Sequence, residues 1–269
     1  MPEKHLIALD LDGTLLTDKK EITPYTKRVI TSAREQGHIV MIATGRPYRS
    51  STMYYKELDL TTPIVNFNGA LVHHPQDESF GTYHSPMNHK TLHEIVEAME
   101  QYEITNILAE VMDDMYVHYD DRQLTDVLAL GHPKVTRGDL RKFLREDPTS
   151  ILIHANQSQV DDIRSHLSDV HAEVIEHRRW GAPFHIIEIV KKGINKAVGL
   201  KRVAEHYNIP TQHIIAFGDE DNDFEMIKFA GVGVAMGNAI PSLKEIANTS
   251  TLTNEEEGIA HFLIDHLKL

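Results

Sequence analysis

Apolar positions follow two rhythms along this chain. Leu6 to Leu9 is a short unbroken apolar run that stops at Asp10, the pattern of a strand buried on both faces of a parallel sheet. A helix with clear punctuation follows. Thr23 suits its N-cap, Pro24 its first position and Gly37 the position past its end, with Val29, Ile30 and Ala33 at helical spacing. Ile39 to Ala43 reads as a second strand running into Thr44-Gly45-Arg46-Pro47, a turn that opens another helix. Pro63 to Phe67 reads as a third, ending at the turn signal Asn68-Gly69. The last 80 or so residues return to this rhythm. Lys196 to Tyr207 is an amphipathic helix, Ile214 to Phe217 a buried strand entering Gly218-Asp219, Gly231 to Met236 a further strand and Ile259 to Leu267 a closing helix. Repeated strand–helix units of this kind predict a doubly wound, Rossmann-like α/β parallel sheet.

The middle of the chain has a different pattern. Leu92, Ile95, Val96 and Met99 mark a helix, and Asp161 to Leu167 another. Short strand candidates lie at Ile107 to Val111, Tyr116 to Tyr119, Ile151 to His154 and Phe184 to Val190, with close connections such as Asp113-Asp114 that favour antiparallel pairing. The expectation is a core of residues 1–83 and 189–269 with a separate α+β domain, 84–188, inserted into it. The chain would enter the insert near Ser85-Pro86 and leave near Lys192-Gly193.

Composition narrows the function. The 269 residues carry a net charge of −13, so nothing attracts the chain generally to nucleic acid or an anionic membrane. A small-molecule partner fits better, and an anionic one would need a local positive patch or a bound cation. With no Cys, thiolate catalysis, disulfides and thiolate zinc sites are excluded. The N-terminus lacks the pattern of a signal peptide, and no window nears the roughly 20 apolar residues of a membrane span. A cytoplasmic protein, monomeric or homodimeric, is expected.

Four segments carry candidate chemistry. In Asp10-Leu11-Asp12-Gly13-Thr14-Leu15, two carboxylates two residues apart at a buried strand's end repel each other unless a cation or proton compensates. Mg²⁺ is the natural remedy, since it takes carboxylate oxygens together with substrate phosphate. Thr44-Gly45 offers a hydroxyl and main-chain N–H groups at a helix start, an arrangement that suits phosphate or an ordinary N-cap. Lys196 lies just inside a helix, where the helix dipole does not favour a cation, and is placed either to hold a phosphate oxygen or on the surface. Gly218-Asp219-Glu220-Asp221-Asn222-Asp223 is an acidic loop after a buried strand, suited to solvent or to a metal. Asp10, Thr44 and Asp219 all fall at the carboxyl ends of predicted strands, where open α/β sheets bind ligands.

In this order the segments resemble the haloacid dehalogenase-like (HAD) hydrolase superfamily, and within it the Cof-type sugar-phosphate phosphatases. The resemblance rests on Asp-x-Asp-Gly-Thr-Leu at 10–15, Ala-Thr-Gly-Arg at 43–46, Asn-Gly-Ala at 68–70, Lys-Gly-x-x-Lys at 192–196, Gly-Asp-x-x-Asn-Asp at 218–223 and Ala-Met-Gly-Asn-Ala at 235–239. The subgroup often has Pro before the Lys-Gly pair and Gly after the lysine, where this chain has Val190-Lys191 and Ala197. The resemblance implies a Mg²⁺-dependent phosphatase acting on small phosphorylated metabolites, with the inserted cap setting substrate choice. Asp10 would be the nucleophile that forms an aspartyl-phosphate, and Asp12 the acid and then the base. Leu11, Thr44, Gly45, Lys196 and Asn222 would bind phosphate. Asp10, the Asp12 carbonyl and Asp219 would hold the metal, with Asp223 orienting Asp219 or Lys196.

Three alternatives remain in view. A phosphosugar mutase would use the same aspartate pair, and a phosphometabolite-binding protein would use the pocket without turnover. A receiver-type phosphate acceptor is about half this length and lacks the insert. Histidines 73, 74, 84, 89 and 93 show no metal-binding spacing, though His89 and His93 share a helix face. Arg178, Arg179 and Trp180 would either line a substrate pocket or lie on the surface.

Overall fold

The computed structural model describes residues 3–119, 121–171, 175–180 and 185–269, with the main chain alone at 123, 127 and 175–180. It divides into two compact units. One comprises Met1–Arg46, Ser51–Tyr83 and Asn195–Leu269; the other comprises Pro47–Ser50 and His84–Ile194.

The chain opens with strand β1 (Leu6–Leu9), helix α1 (Pro24–Glu35), β2 (Ile39–Ile42), α2 (Tyr48–Glu57), β3 (Ile64–Asn66), β4 (Leu71–His73) and β5 (Thr82–His84). The insert follows with α3 (His89–Met99), β6 (Ile104–Val111), β7 (Asp114–Val117), α4 (Arg122–Leu128), β8 (Val135–Arg137), α5 (Leu140–Phe143), β9 (Ser150–Ala155), α6 (Val160–His171), β10 (Ile175–Trp180) and β11 (Ile186–Lys191). The chain then returns through α7 (Lys196–Tyr207), β12 (Ile214–Gly218), α8 (Phe224–Phe229), β13 (Val232–Ala235), α9 (Pro241–Ile246), β14 (Thr249–Ser250) and α10 (Gly258–Leu267).

In the first unit β14, β13, β12, β1 and β2 form a wholly parallel sheet in that order. Every side chain of β1, β2 and β12 is buried, as continuous apolar runs require in a sheet covered on both faces. Each fully buried Leu or Ile here contributes roughly 1.5–3 kcal/mol. The N-terminus of α1 has the anticipated cap: the Thr23 hydroxyl accepts from the Thr26 N–H, and Gly37 takes the left-handed conformation beyond the last turn, at φ 92°. β3, β4 and β5 make a small second sheet, and Ala43 bridges β2 to Val65 of β3.

The insert is an α+β unit built on a six-stranded sheet, ordered β10, β11, β9, β6, β7, β8. Its pairings are antiparallel except for β7 with β8. Leu92, Ile95, Val96 and Met99 of α3 and Ile163 and Leu167 of α6 pack with Ile107, Ile151, Ile153, Ile187 and Ile189 of the sheet.

The expected boundary at 188/189 differs from the observed one. β11 pairs within the insert's sheet as far as Lys191, which carries the unit on to Ile194. Pro47–Ser50 also groups with the insert, because Arg49 is anchored there. The strand expected at Tyr116 to Tyr119 runs instead from Asp114 to Val117, since the loop is only Met112-Asp113 and Val111 pairs with Asp114. The side chains of Arg178, Arg179 and Trp180 lie outside the described ones. Among the described residues no helix is long and apolar enough to cross a membrane.

Candidate active site

The parallel register builds the site. Leu9 pairs with Phe217 and with Ile42, so the ends of β1, β12 and β2 lie side by side. Asp10 and Asp219 follow their strands directly, and Thr44 comes one residue further on, after Ala43. The Asp10 N–H donates to the Phe217 carbonyl at 3.3 Å, and the Ala43 N–H to that of Leu9 at 2.9 Å.

Lys196 is the first residue of α7, set there by Asn195, whose side chain caps the helix by accepting from the Val198 N–H. Its ammonium is fully buried and donates to Asp10 Oδ1 at 2.5 Å and Asp223 Oδ1 at 2.7 Å. The second Asp223 oxygen accepts from the N–H groups of Asp219 and Glu220 at 3.0 and 3.2 Å. Asp223 therefore holds both the lysine and the turn that carries Asp219. Asp219 Oδ1 accepts from the Thr14 hydroxyl at 2.7 Å. Gly13, at φ +77°, passes so close that a Cβ there would lie 2.2 Å from Asp219 Oδ2, which only glycine permits.

Asp10, Asp219 and Asp223 each offer an oxygen within 4.8 Å of the others, and all three are buried. One ammonium cannot neutralise three carboxylates. Burial, and then the neighbouring Asp223 and Asp219, push the Asp10 carboxyl well above its ordinary range despite Lys196. Burial, and then Asp223, push Asp219 up to about 7. Burial works against the Lys196 charge, but Asp10 and Asp223 outweigh it and raise its pKa. Such a cluster calls for a proton or a cation, and its all-oxygen donors suit Mg²⁺.

Asp12 takes no part in this cluster with its side chain. Arg46 grips both of its oxygens, Nε to Oδ2 at 2.6 Å and Nη2 to Oδ1 at 2.7 Å, and Lys20 Nζ reaches Oδ1 at 2.8 Å. Partial burial would raise its pKa, yet hydrogen bonds and charge from Arg46, then Lys20, hold it down at about 2. Any share of position 12 in a metal site therefore rests on its main-chain carbonyl. Thr44 is buried and its hydroxyl oxygen accepts from the Arg46 N–H at 3.1 Å, leaving the hydroxyl proton as the donor. Asn222 Nδ2 donates to Asn68 Oδ1 at 3.0 Å, and a Cβ on Gly45 would meet both of these side chains within 3.5 Å. Thr44, Gly45, Asn222 and Asn68 thus form one neighbourhood. Leu11 is buried, and its carbonyl accepts from the Thr14 and Leu16 N–H groups.

Sequence reasoning gave no task to Thr14, Lys20, Arg46, Asn68 or Asn238, whose Nδ2 donates to the Gly13 carbonyl at 2.8 Å. Four of the five lie in or beside segments already singled out, so position was the available signal. Lys20 carried none.

A family model described as haloacid dehalogenase-like hydrolase matches residues 7–263. Among characterised relatives, 5-amino-6-(5-phospho-D-ribitylamino)uracil phosphatase YitU of Bacillus subtilis is 57% identical over 98% of each chain. A second B. subtilis phosphatase named for the same compound, YcsE, is 30% identical over 95% of this chain and 92% of its own. Among solved structures, a haloacid dehalogenase-like hydrolase from Bacteroides thetaiotaomicron superposes with a TM-score of 0.85 at 28% identity, covering 98% of this chain and 99% of its own. The chain belongs to the haloacid dehalogenase-like hydrolases, as an enzyme of their Cof-type phosphatases.

Proposed function

We propose that this enzyme hydrolyses a small phosphomonoester through an aspartyl-phosphate on Asp10, with Mg²⁺ bound. The observation that carries this reading is the buried Lys196 ammonium between Asp10 and Asp223, with Asp219 in the same cluster. An Asp10 oxygen attacks phosphorus in line as the alcohol leaves, and water then displaces the carboxylate to release phosphate. Lys196, the Thr44 hydroxyl, the Asn222 amide and the N–H groups of Leu11 and Gly45 orient the phosphoryl oxygens and stabilise their charge. Asp10, Asp219 and the Asp12 carbonyl would hold Mg²⁺, which supplies further charge neutralisation at the phosphoryl group. Asp223 orients Lys196 and Asp219.

Asp12 protonates the leaving oxygen and afterwards takes a proton from water. The grip of Arg46 and Lys20 favours its ionised form, which suits the second task. The first task needs the proton that this grip opposes, so loosening of the grip as substrate seats belongs to the proposal. Substrate choice is assigned to the inserted unit, 84–194. The substrate proposed is 5-amino-6-(5-phospho-D-ribitylamino)uracil, on the strength of the full-length likeness to a phosphatase named for it.

The test is phosphate release from that compound and from pyridoxal phosphate, flavin mononucleotide, erythrose 4-phosphate and glucose 6-phosphate, with Mg²⁺ and again in chelator. Mg²⁺-dependent release, greatest from the ribitylaminouracil phosphate, is the expected result. Another preferred ester would overturn the substrate, and full activity in chelator would overturn the metal. No release from any compound would leave a mutase or a binding protein.

A further inference from the structure

We propose that Asn68 is a positioning residue for the phosphoryl group, acting through the amide of Asn222. The inference rests on the phosphatase reading above and gives a task to the Asn68-Gly69-Ala70 segment, which that reading leaves idle.

The segment is strained. Phe67, Asn68 and Gly69 have successive positive φ values of 49°, 52° and 102°. Asn tolerates this region, whereas a bulky Phe in it is an outlier, and both side chains are fully buried. Such backbone persists only where its surroundings over-determine it, and it concentrates at functional sites. Here the surroundings are the phosphate loop. The Phe67 N–H donates to the Arg46 carbonyl at 3.2 Å and the Asn68 N–H to the Thr44 carbonyl at 3.1 Å. Asn66 Nδ2 also donates to the Arg46 carbonyl, at 2.9 Å. On the other side, a Cβ on Gly69 would lie 2.3 Å from the Asn195 carbonyl oxygen, one residue before Lys196. The turn thus touches the Thr44–Arg46 loop, the approach to Lys196 and, through the Asn68 side chain, the acidic loop at Asn222.

The side-chain contact has a direction. Asn222 donates through Nδ2 and Asn68 accepts through Oδ1, at 3.0 Å. A phosphoryl group offers acceptors only, so an asparagine serves it only with its NH₂ end turned inward. By engaging one hydrogen of that NH₂, Asn68 Oδ1 fixes which end of Asn222 faces the Thr44–Gly45 neighbourhood. Left without this acceptor, the Asn222 amide can rotate and present its oxygen to the anion, which repels it.

Asn68→Gly tests the idea cleanly, since glycine accepts the left-handed backbone without strain while removing the amide. The probe is inorganic phosphate in the presence of Mg²⁺, with binding followed by calorimetry and kcat/KM followed on any ester the enzyme turns over. The expected result is about a tenfold loss in both, with the melting temperature within about 5 °C of the parent's. Asn222→Ala should show a similar loss, and the double variant should be no worse than about threefold below the poorer single one, because both act through one contact. The inference is overturned by Asn68→Gly binding phosphate within about threefold of the parent, or by losses that multiply in the double variant. It also falls if Asn68→Gly melts on the order of 10 °C lower, which would make the turn a structural element alone. A parent chain that binds no phosphate overturns it too. Phosphate binding is read without turnover, so a parent that binds phosphate yet cleaves no ester defeats the phosphatase reading and still lets Asn68→Gly decide this one.

Discussion

Lys196 and Arg49 are both buried cations, one in each compact unit, and they are matched to their surroundings in different ways. Arg49 Nη2 pairs with Glu110, also buried, and donates to the Leu128 carbonyl at 3.2 Å. The other Glu110 oxygen accepts from the Ser150 hydroxyl at 3.0 Å. One charge therefore meets one charge, although Arg49 Nε and Nη1 have no hydrogen-bond partner among the described residues. Lys196 instead meets two carboxylates directly, with Asp219 in the same cluster. The pair in the insert is balanced in charge, one guanidinium to one carboxylate. The cluster in the core carries more negative charge than its cation can neutralise, an imbalance that the proposed Mg²⁺ would relieve. Burial of a cation says little about function; the local charge balance says much.

The largest effect in breaking the comparison should come from Asp10→Asn. Steady-state turnover should drop by about 10⁴-fold or more with the fold intact, and a loss under about tenfold would remove Asp10 as nucleophile. Next come the cations themselves. Lys196→Met and Arg49→Met should each cost about 3–5 kcal/mol in urea denaturation, because each strands buried carboxylate. Replacing both partners separates the two cases. Arg49→Met with Glu110→Leu should regain most of the lost stability, since a matched pair can give way to apolar packing. Lys196→Met with Asp223→Leu should regain no turnover whatever it does for stability, and recovered turnover would show the core pair to be structural.

A smaller effect sharpens the charge imbalance. Mg²⁺ at about a hundred times its Kd should stabilise the parent by about 2.7 kcal/mol, read as a rise in melting temperature. Asp219→Asn should lose most of that rise; an undiminished rise would place the ion elsewhere.

The smallest effect concerns His5 and His38, at the edge of the core sheet opposite the site. Burial, helped by neighbouring imidazoles, lowers both pKa values below the usual 6.5. His38 Nδ1 accepts the His5 N–H at 3.1 Å, which requires that nitrogen to be unprotonated. Their contribution to stability is thus complete above pH 6.5 and lost as pH falls through the lowered values. Melting temperature should decline from pH 7 to pH 5, and His38→Asn, which keeps an acceptor there, should flatten the decline. An unchanged slope would clear these imidazoles of the effect.

Much of the core was legible because its signals are local. Leu6 to Leu9, Thr23-Pro24 and Gly37 mark their own positions, and the parallel register follows from buried strands. α4, β8 and α5 were not legible: they are short, partly polar and formed by packing against neighbours. In the site, the motifs were enough to expect Asp10, Lys196, Asp219 and Asp223 together, as the structure has them, whereas the grip of Arg46 and Lys20 on Asp12 could not be read. Those partners lie 34 and 8 positions away, and only the folded loop brings them round. The tie between Thr14 and Asp219, 205 positions apart, was out of reach for the same reason.

The central strand has a consequence for assembly. β1 lies between β2, which soon follows it in the chain, and β12, which comes only after the whole insert. The contact between Lys196 and Asp10 spans 186 positions. Both contacts need the last third of the chain, so a chain lacking it leaves β1 with an unpaired edge and Asp10 without its ammonium. Assembly of the site in this protein is therefore a report on completed folding: a chain without its last third holds Asp10 but not the ammonium that pairs with it, and its open strand edge is the surface through which it would aggregate.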